Sequence, residues 1–206
     1  MNKRDIVRNK IKNLLNIDAC KIHARKCMIS EVNSKEKDNF LEKYHLQGKD
    51  KSGIKIGAYY NNELVSIMTF SKLRVALGSK HVDRVFEMSR FCSSAKVMGV
   101  ASKLLSFFVN KYNPTKIIAY ADRCWTTEKK QNVYQKIGFT KVSNGVPNYW
   151  YIVNARRKHR FSYRKNILCK LLDNFDRNLT EYENMKNNGY LRIWDCGSFK
   201  YELNMK

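Results

Sequence analysis

The sequence predicts a mixed α+β or α/β domain, a mixed β-sheet with helices on its faces, preceded by a basic helix and followed by a basic extension. Three observations predict it. Two β-prone runs, 54–60 and 64–70, flank Asn61-Asn62-Glu63, which is a hairpin signal. The hydrophobic period then changes: Leu104, Leu105, Phe107, Phe108 and Val109 describe a helix over Ala101–Tyr112 broad enough to pack on a sheet. A short apolar strand, Lys116–Ala121, follows Asn113-Pro114, so strand, helix and strand alternate as in a mixed sheet. With 43% hydrophobic residues and only two prolines, the chain has the composition of a folded protein rather than a disordered tail.

Residues 1–27 place Ile6, Val7, Ile11, Leu14 and Leu15 at helical spacing among eight basic and two acidic residues. Such a basic amphipathic helix either lies on a phosphate backbone through Lys3, Arg4, Arg8, Lys10 and Lys12 or packs by its apolar stripe with a solvated outer face. Met28–Val32 reads as a strand. Asn33 followed by Glu36 gives a capping-box-like start to a helix that runs to about His45, with Phe40, Leu41 and Tyr44 buried and Gly48 as its stop. After the hairpin come a glycine-containing loop rich in Lys and Arg and a strand over Val85–Cys92. The 101–112 helix ends at Asn113 because the residue before proline avoids the α region. The strand 116–121, a helix over 127–137 and a closing strand over 148–153 complete a core domain of residues 28–153.

From Asn154 the composition shifts. Residues 154–170 hold seven Arg or Lys and no acid, interleaved with His159, Phe161 and Tyr163. Arg156, Arg157, Lys158, Arg160, Arg164 and Lys165 suit phosphates and Tyr163 suits a base, which makes this the best nucleic-acid segment; the alternative is a solvated basic helix. The extension, 154–206, ends in a stretch over Tyr190–Tyr201 that reads as a β-hairpin.

Forty Lys plus Arg against eighteen Asp plus Glu give a formal charge of +22. Such a surface attracts polyanions, so nucleic acid is the expected partner, DNA ahead of RNA, with an anionic membrane a distant second. No apolar run reaches the length of a bilayer span or a signal peptide. The six cysteines contain no CxxC pair and read as reduced cytosolic thiols, which places the protein in the cytoplasm. Cys20, His23 and Cys27 lack a second ligand pair and read as structural.

The most informative stretch is Lys96-Val97-Met98-Gly99-Val100-Ala101. A small-residue turn opening a helix presents backbone N–H groups beside the positive end of the helix dipole, where a pyrophosphate fits. Gly99 permits close approach of an anion, and Ala101 lets the helix sit tight on the sheet. This stretch resembles the coenzyme A loop of the GNAT family (GCN5-related N-acetyltransferases), in which Gln or Arg, two residues, Gly, one residue, then Gly or Ala precede a helix. Lysine at 96 departs from that pattern. Asn132-x-Tyr134-x-Lys136-x-Gly138-Phe139 is similar to the family's helix-to-strand motif, whose tyrosine protonates the departing thiolate. The resemblance covers about 28–153. It implies a GNAT-like fold, acyl-CoA held at 96–101 and Tyr134 as the acid.

A narrower resemblance is to the phage Mom family of DNA-modifying proteins, on Tyr44-His45, Glu87-Met88-Ser89-Arg90, Tyr120-Ala121-Asp122 and Tyr134. It implies modification of adenine in DNA, a catalytic or iron-binding set of His45, Asp122 and Tyr134, and the cytoplasm of a bacterial host as the setting. From the residues alone, Asp122 lies just past the carboxyl end of a buried strand, where open α/β sheets gather ligands. It pairs with His45 as an acid/base couple, joins Tyr134 in holding a divalent metal, or caps the segment after it. His45 is otherwise a polar residue at a helix end, and Tyr134 a core tyrosine with a satisfied hydroxyl. Glu87 and Arg90, three apart on a strand, are expected on opposite faces. Cys92 and Cys124 are weak nucleophile candidates, and Arg123 and Trp125 either hold a base or cover the core.

The expected function is therefore a nucleic-acid-directed group transfer, modifying a base in DNA. Two rivals stand beside it: a non-catalytic DNA- or RNA-binding module serving a nuclease, and an acetyl-CoA-dependent N-acetyltransferase acting on a protein or small molecule.

Overall fold

The computed structural model describes residues 3–15, 17, 21–73, 82–128 and 131–205; Cys20 and most of the basic loop around Gly78 lie outside the described residues. The chain divides into a core body, Met1–Tyr120, Thr127–Val142 and Lys200–Lys206, and an inserted body, Ala121–Thr126 and Ser143–Phe199.

The core begins with α1 (Arg4–Leu14), the expected basic helix but shorter than 1–27. Lys21–His23 forms strand β1 instead, and Ala24–Lys26 a 3₁₀ turn. Strand β2 (Met28–Glu31) leads into helix α2 (Ser34–Tyr44), whose N-cap Asn33 accepts the Glu36 N–H at 2.9 Å. Strands β3 (Ile54–Tyr60) and β4 (Glu63–Lys72) form the predicted hairpin, with Asn61 and Asn62 both at positive φ as a type I′ turn requires. Strand β5 (Val85–Ser93), strand β6 (Lys96–Met98), helix α3 (Val100–Tyr112) and strand β7 (Lys116–Asp122) follow. The expected helix over 127–137 is a single turn, α4 (Val133–Lys136), after which β8 spans Thr140–Asn144.

A seven-stranded sheet runs β2-β3-β4-β5-β7-β12-β8, with β12 (Ser198–Asn204) set between two strands made long before it. The pairs from β2 to β5 are antiparallel, and β5 and β7 are parallel across the α3 crossover. Phe108 of α3 stacks on Phe70 at 3.6 Å between centroids and meets Phe86 edge-on at 5.2 Å. Phe40 and Leu41 of α2 bury against Val32 and Ile67.

The inserted body holds a three-stranded antiparallel sheet, β10 (Arg156–His159), β9 (Tyr149–Val153) and β11 (Leu191–Trp194). Three expectations are corrected here. The strand near 148–153 does not close the core sheet; it is the centre of this second sheet. The basic segment 154–170 is not one helix but β10, a 3₁₀ turn over Arg160–Tyr163 and the short α5 (Lys165–Leu168). The stretch 190–201 is not a hairpin, because β11 pairs with β9 while β12 joins the core sheet. Beneath the small sheet Tyr151, Leu168, Leu172 and Met185 form its own core, the last from helix α6 (Glu181–Asn187). Among the described residues no helix is long and apolar enough to cross a membrane.

Candidate functional site

Gly99 is the N-cap of α3 in the left-handed conformation, φ 78°, where a side chain would be strained. Lys103 donates its N–H to the Gly99 carbonyl at 3.2 Å, closing the first helical turn, so the N–H groups of Val100, Ala101 and Ser102 precede the first intrahelical bond. A Cβ placed on Gly99 would meet only the Ala24 methyl, at 3.8 Å, so nothing crowds this entrance. Lys103 Nζ fastens it from behind, donating to the carbonyls of Ala24 at 3.0 Å and Cys27 at 2.7 Å. Lys96, Val97 and Met98 are not loop, as the sequence suggested, but strand β6, laddered to β1 through Lys21, Ile22 and His23. The open backbone N–H groups of the stretch are thereby narrowed to those of Val100, Ala101 and Ser102, behind the Gly99 cap. These residues fit a pyrophosphate-bearing group such as CoA, on the strength of the open left-handed cap and the thirteen-residue helix behind it.

Strand β5 supplies the second part of the site. Its ladder with β7 runs from Val85 and Lys116 to Met88 and Ala119, and β5 continues five residues further, held by β4 as far as Ser93. A bulge at Ser89 resets the side-chain alternation. Glu87 faces Ser71 and Arg90 faces Thr69, two residues apart on β4, so Glu87 and Arg90 share one face of the sheet. This corrects the expectation of opposite faces.

Arg90 is the common neighbour of two predicted catalytic residues. It acts electrostatically on both His45 at the end of α2 and Tyr134 in α4. Burial, reinforced by Arg90, Lys10 and Lys3 and opposed by Asp50, lowers the His45 imidazole to about 4, so it is neutral at physiological pH. Its Nδ1 accepts the Gln47 N–H at 3.1 Å, which fixes the tautomer with the proton on Nε2. His45 is thus a hydrogen-bond donor here rather than a free base. Tyr134 stacks on Tyr201 at 5.0 Å and meets Phe139 edge-on at 6.2 Å. Burial and the Tyr201 hydroxyl push its phenol up to about 12 against the pull of Arg90, so it carries its proton. Its helical turn is fixed by an Asn132–Gln135 capping box, and Asn132 also donates to the Tyr201 hydroxyl at 2.8 Å.

Asp122 does not join them in the same body. It belongs to the inserted body, where its carboxylate accepts the Cys124 N–H at 2.8 Å and starts a tight turn. Arg123 lies over the Phe199 ring at 5.2 Å. Among the described residues no three His, Cys, Asp or Glu side chains gather as a metal site. Cys92 is no nucleophile either, since burial pushes its thiol up to about 12 despite Arg90.

The basic residues divide in the same way. Lys3 donates to the Leu46 carbonyl at 2.5 Å, and with Lys10 it raises the positive potential at His45, so both serve the core. Arg4 and Lys12 remain on the exposed side of α1, with Arg8 3.7 Å from Asp5. Arg156, Arg157, Lys158, Arg164 and Lys165 are exposed, whereas Arg160 is half-buried over the rings of Tyr149 and Phe161 and Tyr163 packs on Tyr151. The sequence marked Arg90 only as part of the Glu87–Arg90 stretch and not as a charge acting on His45 and Tyr134, and it did not disclose Asp50, which lies in no motif.

No protein-family model matches the chain, and no curated protein matches it by sequence. Solved structures do match. An acetyltransferase of Bacillus subtilis in complex with CoA superposes with a TM-score of 0.50 at 13% identity, covering 88% of this chain and 100% of that one. The IAA acetyltransferase of Bacillus cereus gives 0.49 at 11% identity over 87% and 99% of the two chains. A GNAT family acetyltransferase of Elizabethkingia anophelis with acetyl-CoA bound gives 0.47 at 11% identity over 87% and 99%. With the first of these sharing its mixed sheet and flanking helices over nearly the whole chain, the protein has the fold of the GNAT acetyltransferases.

Proposed function

We propose that this protein is an acyl-CoA-dependent N-acyltransferase. The observation that carries the proposal is the left-handed Gly99 cap opening α3 in the same body as a protonated Tyr134. Acyl-CoA, when bound, supplies the thioester carbonyl that an acceptor amine attacks. The N–H groups of Val100, Ala101 and Ser102 hold the pyrophosphate. The Tyr134 phenol donates a hydrogen bond and then its proton to the departing sulfur, and it is reprotonated by the proton that the amine nitrogen releases. The neutral His45, with its proton on Nε2, donates to negative charge developing nearby.

Arg90, Lys3 and Lys10 also bear on the acceptor. Burial first, and then the field of these cations, keeps His45 uncharged, and an acceptor in the same surroundings would be favoured as a free-base, nucleophilic amine over an ammonium. That field repels polycations and suits an amine carried on an anionic body. A nucleobase amine in DNA, the Mom-like reading, is the special case of this acceptor class that the +22 net charge favours. The test is a thiol-release assay with acetyl-CoA and three acceptor pools: single-stranded DNA, an acidic protein and spermidine, each product identified by mass spectrometry. Acetylation of an anionic acceptor that falls about 100-fold in Tyr134→Phe supports the proposal. Release that is unchanged in that variant sinks the proposal, and a preference for spermidine sinks the anionic acceptor class.

A further inference from the structure

We propose that the outward face of the inserted three-stranded sheet is a binding platform for single-stranded DNA. Register defines the face. Trp150 pairs with His159 on one side and Ile193 on the other, and Ile152 pairs with Arg157 and Leu191. Because side chains alternate along a strand, these six share one side of the sheet, while Tyr149, Tyr151 and Val153 turn to the core of Leu168, Leu172 and Met185. The outward side is open: Leu191 is 71% and Ile193 40% exposed.

Rings and cations alternate across it and onto the following 3₁₀ turn. The Arg157 guanidinium lies 4.4 Å from the Trp150 centroid, Trp150 meets His159 at 4.7 Å, His159 meets Phe161 at 4.6 Å, and Arg164 lies 4.5 Å over Phe161. Phe161 is 48% exposed. A row of three rings ending in an arginine on each side matches a strand whose bases stack on rings and guanidinium planes while its phosphates lie against the cations. Residues 154–170 contain no acid, and an acid beside the row is Asp195, which acts electrostatically on Arg157. A duplex hides its base faces and gains nothing from the rings. His159 Nδ1 accepts the Phe161 N–H at 3.3 Å, which ties the middle ring of the row to the turn that follows.

The surface lies within the inserted body and stands independently of the acyl-transfer reading. Fluorescence anisotropy with a labelled oligothymidylate of about twelve nucleotides tests it on the full-length protein, with a hairpin duplex, oligouridylate, heparin and polyglutamate as competitors. Phe161→Ala at the surface is the primary variant, and Trp150→Leu the second, each checked for an unchanged melting curve. The expected result is a loss of about tenfold or more in oligothymidylate affinity for Phe161→Ala with heparin affinity unchanged, and a shallower salt dependence in Arg157→Gln and Arg164→Gln. Wild-type affinity in Phe161→Ala overturns the proposal, as does an equal loss toward heparin. So does tighter binding of duplex, oligouridylate or polyglutamate than of oligothymidylate.

Discussion

The protonation state of His45 is set by its surroundings, and it leaves a signature in stability. Its folded value of about 4 lies below the ordinary 6.5, so between those limits the unfolded chain takes up a proton that the folded ring refuses. Stability therefore falls as the pH drops through that window and is fully recovered above it. His45→Gln is expected to flatten the slope of Tm against pH between about pH 4 and 6.5, measured by calorimetry. Gly99→Ala probes the helix entrance: with the nearest atom 3.8 Å away, its cost is conformational rather than steric. It should lower stability by about 1 kcal/mol, a Tm shift of about 2–4 °C, with a larger loss in CoA affinity read by titration calorimetry. At this scale the sequence disclosed Gly99 and Tyr134 because each sits in a recognisable turn or cap. The bulge at Ser89 carries no glycine to announce it, so Glu87 and Arg90 were expected on opposite faces.

Among the elements, the connection after α2 shows how the core holds His45 in place. Lys37 Nζ reaches the Asp50 carboxylate at 3.1 Å and the Asp50 carbonyl at 2.6 Å, and Thr69 donates to the same carboxylate at 2.8 Å. The two side chains are only 4% and 8% exposed, so the pair is buried. Burial raises the Asp50 carboxyl, but hydrogen bonds from Ser52, Thr69 and Lys37 outweigh it and hold the group below its ordinary 3.8. The stability it contributes is present above that value and is lost as the pH falls below it. Removing one partner leaves the other charge buried, so Lys37→Met should destabilise by about 3–5 kcal/mol in urea unfolding, while a double variant with Asp50→Asn recovers part of the loss. Hydrophobic pattern located β2, α2, β3, β4, β5, α3 and β7. It missed β8, whose residues are largely exposed, since an edge strand without an apolar face has no alternation to read. It also placed a boundary at Asn154, where the chain turns a hairpin: Asn154 and Ala155 adopt φ 50° and 56° without any glycine to mark the turn.

At the scale of the whole molecule, the basic segment is an insertion and not an extension. Its ends meet, the Gly145 N–H donating to the Ser198 carbonyl at 2.6 Å, and β8 and β12 are neighbours in the core sheet. Replacing 146–197 by a two-residue Asn-Gly turn is therefore expected to leave a core that unfolds cooperatively and still releases thiol from acetyl-CoA with a neutral small amine, measured by calorimetry and the thiol assay. Composition foresaw a change of character near residue 154 but not that the chain returns afterwards. Nothing in Ser198–Asn204 distinguishes a central strand from a terminal hairpin.

That return has a consequence for how the protein is made. Strands β7 and β8 leave the ribosome before the whole of 145–197, and the strand that separates them in the sheet leaves after it. Throughout that interval a nascent chain holds an unfilled slot with a bare strand edge, the kind of surface that recruits a neighbouring chain. The longer segment of the inserted body, 143–199, has emerged by then and carries ten Lys or Arg against five Asp or Glu. The net charge of +22 sets such nascent chains against one another, which counts against pairing at the unfilled slot.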